Sequence, residues 1–101
     1  MPKSAQNANL SLQVVPLNTS DAYPFIDAAI LAIRASGVRH DVQPFSTVME
    51  GELERLLEIV LAAKKAALEA GAEELLLNIQ IHLKKEGDVW LEDKTRKWEE
   101  K

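Results

Sequence analysis

Apolar and polar residues alternate from Leu10 onward. Leu10, Leu12 and Val14 fall on one side of an extended chain and Ser11, Gln13 and Val15 on the other, until Pro16. A period of two is the signature of a strand. The pattern then changes. Ile26, Ala29, Ile30 and Ile33 recur at helical spacing, with Ser20 and Asp21 able to cap the start, Pro24 in the first turn and Ser36-Gly37 at the end. Val38, His40 and Val42 alternate with Arg39, Asp41 and Gln43, which predicts a second strand. Pro44 separates it from a third strand at Thr47, Val48 and Met49. Gly51 allows the turn into a long helix over residues 52–70, whose stripe is Leu53, Leu56, Leu57, Val60, Ala63 and Ala67, with Ile59 and Leu61 outside it. From Glu74 to Lys84, Leu75, Leu77, Ile79, Ile81 and Leu83 point one way. Leu76, Asn78, Gln80, His82 and Lys84 point the other. After a turn at Lys85-Glu86-Gly87-Asp88, Leu91, Thr95 and Trp98 are spaced as on a short amphipathic helix, expected to dock by Trp90 and Trp98.

The order is strand, helix, strand, strand, helix, strand, helix. Two right-handed strand-helix-strand halves combine into a four-stranded antiparallel sheet with both long helices on one face. The expected fold is therefore α+β, a ferredoxin-like βαββαβ sandwich with an additional C-terminal helix. Residues 1–9 are small and polar and are expected to form a flexible arm, leaving 10–101 as one domain. The second sheet face is uncovered and carries Val15 and Leu76, so a partner is expected there. The simplest partner is the protein itself, as a homodimer or homotetramer of closed symmetry.

The chain has 101 residues, enough for one core. Its 12 basic and 16 acidic residues give a net charge of -4, with no basic stripe to suit nucleic acid. There is no cysteine, which excludes a disulfide scaffold and thiolate-held zinc. No apolar run approaches the ~20 residues that span a bilayer, and the first nine residues lack the apolar run of a signal peptide. A cytoplasmic protein without membrane or nucleic-acid partners is the expectation.

Few residues suit catalysis. His40 and His82 fall on strands at opposite flanks of the sheet, and no Asp or Glu shares a metal-ligand spacing with either. Ser46 lacks the Gly-x-Ser-x-Gly elbow and a neighbouring base, and the glycines at 37, 51, 71 and 87 are isolated. No enzyme, catalytic residue, metal or cofactor is expected. A binding site is better supported. Gln13 on the first strand, Asn78 and Gln80 on the last, and Ser46, Thr47 and Glu50 around the third can lie on or beside the open face. Amides and hydroxyls offer donors and acceptors, and a carboxylate can hold an amino-bearing or cationic heterocycle. The same polar row would equally suit a wet subunit interface in a regulatory or structural interaction module.

Several stretches resemble the YkoF-like thiamine-binding protein family in its short single-domain subgroup. They are Ser11-Leu12-Gln13-Val14-Val15-Pro16-Leu17, Gly37-Val38, the run from Pro44 to Glu52, Gly71-Ala72 and Glu92-Asp93-Lys94. The resemblance implies a ferredoxin-like fold, pairing of domains through their sheets and assembly into dimers or tetramers. It also implies non-catalytic binding of thiamine or its hydroxymethylpyrimidine moiety. Thr47 and Glu50 match the family's Thr-x-x-Glu-Gly segment. Ser46 stands where many relatives have glycine, and Asn78 and Gln80 where they often have threonine and lysine.

Overall fold

The structure, a computed structural model, describes residues 6–99. In chain order the elements are β1 (Asn7–Leu17), α1 (Tyr23–Ala35), β2 (Arg39–Val42), β3 (Thr47–Glu52), α2 (Leu53–Glu69), β4 (Glu74–His82) and α3 (Leu91–Glu99). The sheet order is β2-β3-β1-β4 with every neighbouring pair antiparallel. This is the ferredoxin-like sandwich expected from the hydrophobic pattern, with the extra helix at its end.

Register decides which side chains meet. Leu10 lies opposite Met49 on β3 and Ile81 on β4, and Leu12 opposite Thr47 and Ile79. These residues face the helices. Asn9 lies between Glu50 and His82, Ser11 between Val48 and Gln80, and Gln13 opposite Asn78, all on the other face. The core lies between the first face and the helices, with Leu10, Ile33, Met49 and Leu56 fully buried. Ala29, Ala63 and Ala67 are buried with them, and such small side chains let α1 and α2 pack closely.

Three details depart from the sequence pattern. β1 starts at Asn7 and runs through Pro16. Asn7, Ala8 and Asn9, expected in a loose arm, are therefore strand, and Ala8 and Asn9 are buried; residues 1–5 lie outside the described part. Pro16 is tolerated because β1 has a strand on only one side there, so its missing N–H interrupts no ladder. In α2 the buried stripe is Leu56, Ile59, Val60, Ala63 and Ala67, so Ile59 is inside and Leu57 outside. Finally, Ile79, Ile81 and Leu83 remain partly exposed, because the helices lie over β1 and β3 and leave outlying β4 largely bare.

This packing separates two leucines five residues apart on one helix. Leu56 is wholly buried, whereas Leu61 is 61% exposed. Leu56→Ala is expected to cost ~2–5 kcal/mol of unfolding free energy. Leu61→Ala should change it by less than about 0.5 kcal/mol. Equal effects in urea denaturation would show that the helix is rotated from this orientation.

Candidate ligand-binding site

The candidate site begins where a ladder ends. Pairing of β1 with β3 stops at Leu12 and Thr47, because the chain before Thr47 turns through Gln43-Pro44-Phe45-Ser46. The Gln43 N–H donates to the Ser46 C=O at 2.8 Å and closes that loop. β1 itself continues to Leu17 beside β4 alone. A gap is left along one edge of β1, with α1 above it and the loop in front.

That gap is a cavity of about 140 Å³. Its walls are apolar, from Leu12 and Val14 of β1, Ile26, Ala29, Ile30 and Ile33 of α1, and Pro44 and Phe45 of the loop. Gln13, Gln43, Ser46 and Thr47 add polar groups at its margin. On the open sheet face lies a shallower recess of about 460 Å³, bordered by Ser11, Gln13, Phe45, Ser46, Asn78, Ile79 and Gln80. Within it the Asn78 amide N–H donates to Gln13 Oε1 at 2.9 Å. Gln13, Phe45 and Ser46 border both spaces, so the cavity and the recess adjoin around the free edge of β1. Phe45, 82% exposed, stands at their junction. Ser11, Ser46 and Gln80 also border a third recess, of about 650 Å³, beneath α3 with Asn9, His82 and Lys94.

Of the six residues expected at a site, Gln13, Ser46, Asn78 and Gln80 converge on the open-face recess. Thr47 lies on the opposite, helix-facing side of the sheet, where it is buried at the margin of the cavity. Strand alternation is the reason: Thr47 pairs with core-facing Leu12, not with Ser11 or Gln13.

Glu50 occupies neither space. The sequence pattern puts this carboxylate on or beside the open face and able to meet a ligand, but β3 continues through it and it is only 5% exposed. Its Oε2 accepts from Arg39 at 2.8 Å and its Oε1 accepts from the Leu91 N–H at 2.5 Å. Leu91 is the first residue of α3, so Glu50 caps that helix from across the sheet, where a negative charge meets the positive end of the helix dipole. Neighbouring bonds fasten the same segment. Val89 N–H donates to Asn7 C=O at 2.9 Å, Val89 C=O accepts from Asn9 Nδ2 at 3.1 Å, and Asp88 accepts from Asn7 N–H at 2.7 Å. Val89 is buried in this segment, whereas Trp90 is 41% and Trp98 71% exposed.

Sequence reading missed Ser11 and Phe45 in the recess and Asn9 and Arg39 in the fastening. Asn9 and Ser11 continue the polar alternation of Gln13, which was the available signal. Nothing local marks Arg39, whose pairing with Glu50 depends on sheet register. Among the described residues, no group of three or more His, Asp or Glu side chains could hold a metal ion. No described helix is long and apolar enough to cross a membrane.

Comparison with known proteins agrees with this architecture. The sequence pattern of the thiamine-binding protein family matches residues 10–99. A UPF0045 protein of Clostridium perfringens is 36% identical over 91 residues, covering 89% of this chain and 95% of its own length. The chain belongs to the thiamine-binding protein family. A solved domain of unknown function, DUF77, from Bacillus cereus superposes with a TM-score of 0.88 at 39% identity, covering 93% of this chain and 91% of that one. A crystal structure from Thermotoga maritima, described as that of a candidate thiamine biosynthesis/salvage protein, gives 0.81 at 30% identity, covering 91% and 98%.

The position of Glu50 makes it a structural fastener. Glu50→Gln keeps the size but removes the charge that both donors meet. Because the Arg39 side chain is 58% exposed, its ion pair is partly screened, and the expected loss of stability is about 1–2 kcal/mol. The fluorescence of Trp90 and Trp98, both in that segment, should report its loosening before global unfolding. Unchanged melting and fluorescence would show that Glu50 does not hold α3.

Proposed function

We propose that the protein binds thiamine, or its hydroxymethylpyrimidine moiety, without catalysis, and does so as a homo-oligomer. The observation that carries this reading is the adjoining pair of spaces at Gln13, Phe45 and Ser46. Thiamine is a two-ring molecule, a flat aminopyrimidine joined to a cationic thiazolium. The apolar cavity suits the pyrimidine, with Ser46 and Thr47 hydroxyls at its margin. The recess beyond Phe45 suits the second ring, against the amides of Gln13, Asn78 and Gln80. An exposed aromatic face at the junction can also attract a fixed cation. Glu50 serves this arrangement indirectly, by holding the C-terminal segment against the sheet.

The family membership supports the ligand class, and the T. maritima neighbour is described in the same terms. Self-association is supported by the apolar groups on the open face. Leu76 is more than a third exposed, and Val15 lies beside it across the β1–β4 pair. Covering that face with a second copy would also deepen the recess. Among the described residues no cluster of acid, base and nucleophile lines either space, which favours binding over turnover.

Two measurements test the reading. Light scattering should give at least twice the chain mass of 11.2 kDa. Calorimetric titration should give tighter binding for thiamine than for free hydroxymethylpyrimidine. Asn78→Leu should weaken thiamine roughly five- to tenfold, through loss of the amide row, and leave hydroxymethylpyrimidine unchanged. Equal weakening of both would refute the two-space arrangement. If neither compound saturates at millimolar concentration, the interaction-module reading takes its place.

A further inference from the structure

The free edge of β1 carries a feature that no side chain reveals. In an antiparallel ladder, alternate residues direct both N–H and C=O toward the same neighbour. The closing bond from Gln43 N–H to Ser46 C=O sets this alternation for the β2–β3 hairpin. Counting inward, Asp41 pairs with Val48 and Arg39 with Glu50 through backbone bonds, so Thr47 and Met49 send theirs to β1. Their partners Leu12 and Leu10 are then the β1 residues that point toward β3. Val14 has the same parity. It lies beyond Thr47, where β3 has not begun, and its backbone faces the gap. Pro16 agrees independently, because a proline beside β4 must turn its nitrogen away from β4, and Pro16 shares the parity of Val14. Among the described residues no backbone or side-chain group bonds the Val14 N–H or C=O on that side. Val14 is half-buried and lines the cavity under α1.

We propose that the unpaired N–H and C=O of Val14 form the specificity element of the cavity and read a ligand edge that carries an acceptor beside a donor. Such an edge completes the ladder as an added strand would. A half-buried backbone pair without a partner is costly, so a ligand that satisfies both groups gains more than its contacts with the apolar walls alone. A 4-aminopyrimidine has the matching edge. Its ring nitrogen accepts from Val14 N–H, and its amino N–H donates to Val14 C=O. The apolar walls from Ile26, Ile30 and Pro44 hold the ring in plane with β1. This rests on the proposed thiamine-class function and supplies the atoms that would recognise its pyrimidine.

The probes are hydroxymethylpyrimidine, its analogue with hydrogen in place of the amino group, and its analogue with CH in place of the adjacent ring nitrogen. Each analogue lacks one of the two bonds and should bind about tenfold more weakly than the parent. In the 15N-labelled full chain, the Val14 amide resonance should shift on titration with the parent. Val14→Pro removes the N–H on the side away from β4; it should stay folded, with a small drop in melting temperature from lost Val14 packing, and lose at least tenfold in affinity. If that variant does not fold, the two analogues still decide the matter. Analogues that bind as well as the parent, or a Val14 amide that stays still while the parent binds, would overturn the assignment and leave the proposed function standing. Absence of any parent binding at millimolar concentration would overturn both.

Discussion

The chain turns back from β2 to β3 within Gln43–Ser46, a turn closed by the Gln43 N–H to Ser46 C=O bond, so β3 has no earlier residues with which to extend its ladder along β1. The ladder therefore ends at Leu12 and Thr47 while β1 runs on beside β4. Everything distinctive about the candidate site follows from that mismatch in strand length. A β3 four residues longer would pair with Val14 and Pro16, close the gap below α1 and seal the two faces of the sheet from one another. With β3 short, the edge of β1 lies open between an apolar cavity and a polar recess, and the loop bearing Phe45 stands where they meet. A bare strand edge invites unwanted pairing. Here α1 and the Gln43–Ser46 loop crowd it, leaving space for a small flat molecule rather than another strand.

At the other end of the sheet a different constraint operates. A carboxylate as buried as Glu50 is unstable unless its charge is met by donors. Arg39 and the first N–H of α3 meet it. The consequence for function is one of division. The end of the sheet at Asn9 and Glu50 is committed to holding the C-terminal segment, and the end at Gln13 is left free. Glu50 thus shapes the open face without touching either ligand space. A Thr-x-x-Glu-Gly segment places its threonine on the core side of the sheet and its glutamate on the open side, three residues being an odd step along a strand.

The fold was legible because β1 and the longest helix each bury one face. Leu10, Leu12 and Val14 announce a strand, and Leu56, Val60, Ala63 and Ala67 a helix, since burial imposes the period directly. The polar row of Gln13, Asn78 and Gln80 was legible for the same reason, as the other half of each alternation. What could not be read were quantities set by pairing across the chain. The start of β1 at Asn7 depends on Glu52 and the C-terminal segment, far away in sequence. The burial of Glu50 depends on Arg39 and Leu91. The tryptophans are the hydrophobic anchors that the sequence offers for α3, yet Val89 is the residue buried there, and Asn7, Asn9 and Glu50 bond the segment. Hydrophobicity marks residues able to dock, and the geometry of the turn before α3 chooses among them.

A crystal structure of the full chain with bound thiamine tests the central claim most directly. The pyrimidine should lie in the cavity between α1 and the free edge of β1, beside Val14, with the thiazolium beyond Phe45 on the open face. Thiamine found instead beneath α3, against Asn9, His82 and Lys94 with the α1 cavity unchanged, would contradict it.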